Sequence, residues 1–485
     1  MSEPADPVSS APSGSAYRFS WRAVRAVPRY TYLIAATAAL GGLLFGYDIG
    51  VISGAEGLLK SQWRLSSGQE ELAVAAVLFG SIAGGVVGGK MADALSRRYT
   101  LLIMAVIYAV GAVTTALAPD LWWFFAFRVL TGIAVGASSL AVPMYIAEMA
   151  PVAVRGGLVI LQQLAISGGI LASYVVDYVV NGLGWGWRPM FAAAVLPAVV
   201  LAVGMLFLDH SPRWLAMRGR WDEAARVMGK MNPTEREREL RLIEHDLRDQ
   251  GASSWRELFA PGLRGCLIAG VGLAVFQQFV GSNTVLFYTP TIFRYAGIGS
   301  TSDALVSTIY VGLALFVFVF GAIALVDLLG RKTLFYIGLG GMCAMLTVFG
   351  ILFHLGAHRY GTLLLIAMLV YVACYSLSIS PLFWLMSAEV FPNRLRAAGA
   401  GWSTVANWSA NLIISVSYLT AIERLGKDVT YWVYALVAVA AIGFVKRFVP
   451  ETKGRPLEYI EDYWRGGRVW PDAGGASAAA EPAAR

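Results

Sequence analysis

From Thr31 to Tyr47 the chain carries no charged side chain, and uncharged apolar runs recur almost to its end: Leu72–Gly89, Leu101–Pro119, Gly157–Val176, Gly265–Phe293, Ala304–Val326 and Tyr360–Ala388. Each is long enough to cross ~30 Å of hydrocarbon as a helix. Allowing one buried charge in the first and fourth spans, the pattern predicts about twelve membrane helices. Arg213–Trp255 is the one long polar interruption, and its interleaved Glu and Arg residues suit solvated helices held by i,i+4 pairs. It divides the spans six and six. The predicted organisation is a tail (1–29), a six-helix half (30–212), a helical linker (213–260), a second half (261–450) and a second tail (451–485), with the Ser/Pro/Ala-rich first 16 residues and Ala473–Arg485 reading as disordered.

Composition agrees. Of 485 residues 57% are hydrophobic and 14% charged, and the mean hydropathy of +0.61 is too high for a soluble protein of this length. The chain reads as an all-α integral membrane protein. Its net charge of +7 is concentrated in alternate loops: Arg18, Arg22, Arg25 and Arg29; Lys90, Arg97 and Arg98; Arg331 and Lys332; Arg394 and Arg396; Lys446, Arg447, Lys453 and Arg455. The positive-inside rule then puts both termini in the cytoplasm, makes the bilayer the partner of this charge and leaves no nucleic-acid role. A short first outer loop at about Glu56–Glu71, without a glycosylation sequon, points to a bacterial inner membrane. Cys266, Cys343 and Cys374 stand singly in apolar context and read as packing residues. His354 and His358 are four apart with no acidic or thiol ligand nearby, so no metal is expected. No nucleophile–base arrangement appears, and neither an enzyme nor a cofactor is expected.

The halves repeat one another. GGKMADALSRRYTLL (88–102) matches GAIALVDLLGRKTLF (321–335), YIAEMAPVAVRGG (145–157) matches LMSAEVFPNRLRAAG (385–399), and FLDHSPRWL (207–215) matches FVPETKGRPL (448–457). Glu148 and Arg155 thus correspond to Glu389 and Arg396. Parallel duplicated halves are a transporter architecture, with a midplane site exposed to each side in turn. Two charges lie inside apolar spans, Asp48 and Arg128. An acidic side chain there costs about 2.5–3.5 kcal/mol on the translocon scale, so it either handles protons or sits in a structural ion pair. Arg128 is the obvious partner, and a carboxylate held ionised by a guanidinium takes up a proton if the two separate.

The motifs GYDIGVISGA, RVLTG (128–132), PMYIAEMAPVAVRGG, SPRWL, FQQFVGSN, DLLGRK, AEVFPNRLR and PETKGR together resemble the sugar porter family of the major facilitator superfamily, over roughly Tyr30–Glu461. The likeness is greatest to bacterial proton-linked pentose and hexose symporters and to animal glucose uniporters. It implies twelve helices in two six-helix halves and a monosaccharide site of neutral amides, which donate and accept without adding charge. By resemblance the sugar-binding residues are Gln163, Gln277, Gln278, Asn283, Trp384, Asn407, Trp408 and Asn411, with Phe287 and Tyr288 at a mobile outer gate. Asp48 and Arg128 become the proton-coupling pair, since uniporters have asparagine at the aspartate position. Asp93, Arg97, Glu148, Arg155, His210 and Arg213 in one half, with Asp327, Arg331, Glu389, Arg396 and Glu451 in the other, match the salt-bridge network that closes the inner gate.

Several positions depart from the family pattern. Ser282 replaces an aliphatic residue and Phe287 the first of a tyrosine pair; Ile170 stands where the pentose symporter has a second glutamine, and Ala194 where it has a glutamate. Ala94 and Ser96 alter the first-half loop motif, and His210 replaces a gate glutamate, from which a weaker first-half gate is expected. The resulting expectation is a monomeric proton–monosaccharide symporter of the plasma membrane with the proton as coupling ion; the alternatives are a facilitative uniporter and, more remotely, a sugar sensor.

Overall fold

The computed structural model describes residues 28–470 apart from 152–154, 232, 234, 250–254, 298–300, 454 and 456–458. The outer parts of both expected tails, 1–27 and 471–485, therefore lie outside the described residues, as do the side chains of Arg155 and Asp327. Among the described residues twelve spans are long and apolar enough to cross a membrane. The first half comprises α1 (Arg29–Trp63), α2 (Ser67–Leu95), α3 (Arg97–Ala116), α4 (Leu121–Met149), α5 (Arg155–Gly182), and α6 (Arg188–Ala192) with α7 (Val195–Phe207) as one broken span. The linker contributes α8 (Pro212–Met217), α9 (Trp221–Met231), α10 (Arg236–Asp249) and a 3-10 turn at Trp255–Phe259. In the second half the first span is broken into α11 (Arg264–Phe279), α12 (Ser282–Phe287) and α13 (Thr289–Tyr295). It is followed by α14 (Thr301–Leu329), α15 (Arg331–His354), the broken pair α16 (Gly361–Leu377) and α17 (Ile379–Glu389), α18 (Arg396–Ser415) with α19 (Tyr418–Leu425), and α20 (Lys427–Phe448).

The breaks have sequence causes. Proline has no N–H to donate, and its ring clashes with the carbonyl four residues earlier. Pro381 points back to Leu377, where α16 ends, and Pro290 to Leu286, next to the end of α12. Gly281 adopts φ +82°, a left-handed conformation that separates α11 from α12. α1 has no such breaker and runs unbroken to Trp63, so Glu56–Trp63 is helical and the turn between the first two spans is only Arg64–Ser66. The longer loop expected at Glu56–Glu71 does not form.

Small residues set the packing, as expected where lipid offers no hydrophobic drive for helix association. Gly80 of α2 and Gly132 of α4 face one another so closely that a Cβ on either would collide with the other helix's backbone. Large apolar side chains cover the outside instead, among them Leu196, Phe207, Leu328 and Leu436. That inversion is what a bilayer solvent selects. The halves meet along α5 with α14 and α2 with α18, and through α1 against α12 and α13. In the expected second tail, residues Ile460–Arg465 form a helix, α21, whose buried Trp464 donates its indole N–H to Val390 O (2.8 Å); this stretch is docked on the second half.

Candidate functional site

Asp48 and Arg128 meet between α1 and α4, both buried, with Arg128 Nη1 donating to Asp48 Oδ1. Tyr108 of α3 adds a longer hydrogen bond to the same oxygen (3.4 Å), and the guanidinium stands 5.3 Å from the Phe191 ring centroid. Nε and Nη2 of Arg128 have no hydrogen-bond partner among the described residues. The pair is thus joined through one donor rather than a bidentate clamp. Truncating either member would strand a buried charge, typically at about 3–5 kcal/mol. Ala194 lines the space beside it.

Toward the second half, the amides form one network. Asn407 Nδ2 donates to Gln277 Oε1 (2.5 Å), Gln278 Nε2 to Asn407 Oδ1 (3.1 Å), and Asn283 Nδ2 to Gln278 Oε1 (2.9 Å). Gln163 of α5 joins from the other half through Ser380 Oγ (3.2 Å), and Gln277 Nε2 points at the carbonyls of Ile379 and Ser380 (3.4 Å each). Both carbonyls belong to the first turn of α17, directly after the break at Ser378. Trp408 is buried against Phe45, with ring centroids 5.2 Å apart, and its indole N–H has no partner among the described residues; neither has Nδ2 of buried Asn411. Two orphaned donors beside an amide network suit a polyhydroxylated ligand, since buried donors are otherwise paired. Trp384 is half-buried in α17 and has its ring contact with Phe383. Ser282 turns inward, its hydroxyl donating to Gln277 O (2.7 Å).

At the end of the molecule where the described termini lie, the duplicated motifs build matching clusters. Arg97 bridges Asp93 (3.0 Å) and Glu148 (3.0 Å), and Ser211 Oγ donates to Glu148 Oε2 (2.5 Å). In the second half Arg331 grips Glu389 through two nitrogens (3.2 and 2.9 Å), and Thr452 Oγ1 donates to Glu389 Oε2. These ion pairs lie within their own halves. Arg213 is half-buried in α8, near Glu148, and Arg396 opens α18. Glu451 caps α15, accepting from the backbone N–H of Arg331 (3.1 Å) and Lys332 (2.9 Å). His210, its counterpart, engages Ser96: imidazole Nδ1 and the hydroxyl are 2.9 Å apart, and Ser96 Oγ also accepts from Tyr99 N (3.2 Å) at the start of α3. Its ring stacks on Trp214. Burial, with Arg98 and Arg220 nearby, pushes the His210 pKa below its ordinary value and keeps the ring neutral. The two first-half departures therefore form one substitute cap.

The far end is closed by contacts between halves that the sequence reading missed. Thr291 Oγ1 donates to buried Glu56 (2.7 Å), Thr420 donates to Glu71 through its N–H (2.7 Å) and hydroxyl (2.8 Å), and Ser67 pairs with Glu423. Tyr288 and Phe287, the expected outer-gate residues, are fully buried there, with the Tyr288 ring tilted against that of Tyr418 at 4.9 Å between centroids. Asp177 of α5 is also buried, pressed on Gly54 of α1, and neither oxygen has a partner among the described residues. The signal for Glu56 was present: no proline interrupts the apolar pattern between Asp48 and Trp63. Far from either site, His354 lies 2.9 Å from Asp428, and no metal-binding cluster occurs among the described residues.

The Sugar (and other) transporter family matches residues 34–464. A D-xylose transporter of Levilactobacillus brevis is 40% identical over 87% of this chain and 93% of its own length. An arabinose-proton symporter of Bacillus subtilis is 36% identical over 90% and 95%. A partially occluded, inward-open structure of the xylose transporter XylE from E. coli superposes with a TM-score of 0.79 at 35% identity, covering 88% of this chain and all of that one.

Proposed function

Since the chain belongs to the sugar transporter family, as a sugar porter of the major facilitator superfamily, we propose that it carries a pentose or hexose across the membrane together with a proton, by alternating access. The observation that carries this reading is the combination of a buried Asp48–Arg128 pair with an amide network that spans both halves. A protonatable group held by a buried guanidinium, together with a neutral hydroxyl-binding surface, has the parts that symport needs. Gln163, Gln277, Gln278, Asn283, Asn407, Trp408 and Asn411 bind the sugar, with Trp384 on the adjoining broken helix. Clusters around Arg97 and Arg331 serve the inner gate, and Tyr288 with Phe287 the outer one. Basic loops at the end bearing the described termini support a cytoplasmic position for both, and the similarity to bacterial sugar porters supports the cell membrane.

The test is uptake by proteoliposomes under an imposed pH gradient, with a panel of competing sugars. Accumulation above the external concentration, collapsed by a protonophore, is the expected result. Facilitated uniport is the second reading, favoured by Ala194 and Ile170 at positions where the pentose symporter has polar groups; equilibration without accumulation would select it.

A further inference from the structure

Far from Asp48, α13 closes over another carboxyl group. Glu56 is buried in α1; its Oε2 accepts from Thr291 Oγ1 (2.7 Å), and Thr291 accepts in turn from Arg294 Nη2 (2.5 Å). Oε1 has no partner among the described residues. The titratable groups facing this position are Glu70 of α2, Lys60 of α1, and Tyr288, Arg294 and Tyr295 of the second half. Lys60 is committed to buried Glu70 (2.6 Å), and Arg294 reaches Glu56 only through the Thr291 hydroxyl. A carboxylate so placed would be desolvated, beside a second carboxylate, with one neutral donor; such an ion is strongly disfavoured and the neutral acid is not.

We propose that Glu56 is a second proton-binding site, distinct from Asp48, filled from the far-side solution as α13 closes and emptied back into it when α13 swings away. The proposal rests on the alternating-access reading above. The step is protonation of the Glu56 carboxylate by solvent hydronium on closing and its reversal on opening, with no other reactant. Because the closed state binds the proton and the open state releases it, acidification on that side favours closure, by at most tenfold in the closed:open ratio per pH unit. This proton sets when the far end shuts; it is not carried with the sugar.

The test uses purified full-length protein with Cys266, Cys343 and Cys374 replaced by serine and spin labels on Arg64→Cys and Arg424→Cys, exposed residues on opposite halves at the far end. Distances are measured by pulsed electron resonance from pH 5 to 8, with Asp48→Asn added so that the coupling pair contributes no titration. The short-distance fraction is expected to rise as pH falls. Glu56→Gln, a fixed neutral acid mimic, makes it high and independent of pH, and Thr291→Val lowers it where Thr291→Ser does not. An unchanged pH slope in Glu56→Gln overturns the proposal. A distance that moves with neither pH nor sugar removes the rocking motion and the proposal with it.

Discussion

At the scale of single residues, the predictions rest on which side chains have spare hydrogen-bonding capacity. Asp48→Asn keeps the shape of the coupling residue and removes its proton. The variant is expected to bind sugar and exchange labelled for unlabelled sugar, while losing accumulation against a gradient; uphill uptake by it would end the coupling role. Gln278→Ala removes a group tied to both Asn407 and Asn283, and Asn283→Ala its neighbour. Each is expected to weaken sugar binding by about 1–3 kcal/mol, because an unpaired hydroxyl is left desolvated, and calorimetry on purified protein measures it. Wild-type affinity in both would remove the amides from the site. These residues were legible in sequence because a charge or an amide inside an apolar run stands out in one dimension. Ser380 was not, since serine is ordinary in a membrane helix and its place in the network depends on α17 crossing Gln163. Asp177 is also a charge within an apolar helix, one residue beyond the run that ends at Val176, and only the packing of α1 on α5 shows that its oxygens lack partners among the described residues.

Helix ends carry the next level of information. Pro290 and Pro381 made breaks in the seventh and tenth spans readable, because a missing N–H acts locally. The cap of α3 was not readable, since it joins Ser96 to a residue 114 positions later. In the second half the same job falls to Glu451, above Gly330 at φ +85°, where a Cβ would sit 3.0 Å from the carboxylate. Ser96 at φ +97° supplies the hydroxyl that the glycine lacks, and His210 accepts the place of the acid. Ser96→Gly and His210→Glu are therefore expected to lose more stability singly than together, with a coupling of about 1–2 kcal/mol in a double-mutant cycle on thermal unfolding. Additive losses would show the two departures to be independent. The ring also has a pH signature. Its folded pKa lies below the ordinary histidine value near 6.5, so the unfolded chain binds the proton more readily, and its contribution is present above that pH and lost as pH falls through it. The drop in melting temperature from pH 7.5 to 5.5 is expected to be smaller in His210→Gln than in the wild type.

Over the whole molecule, the duplication was the strongest signal in the sequence, and the structure carries it to matching atoms: Arg97–Glu148–Ser211 in one half, Arg331–Glu389–Thr452 in the other. What repeats cannot encode is how the halves face each other. That relation is written in non-repeated contacts, Thr291 to Glu56, Thr420 to Glu71 and Glu423 to Ser67, all at the far end and all from carboxylates near helix termini that look like solvated anchors in sequence. If the molecule works by rocking, fixing those contacts should stop it without touching the sugar site. In a chain freed of its native cysteines, Ser67→Cys and Glu423→Cys joined by a short bis-methanethiosulfonate cross-linker are expected to abolish uptake, leave sugar binding to the purified protein within a few-fold of wild type, and regain uptake on reduction. The cross-link tests motion apart from chemistry, because neither residue contacts Asp48 or the amide network. Uptake that persists with the cross-link fully formed would mean that the far end need not open, and a fixed path through the molecule would then have to replace alternating access.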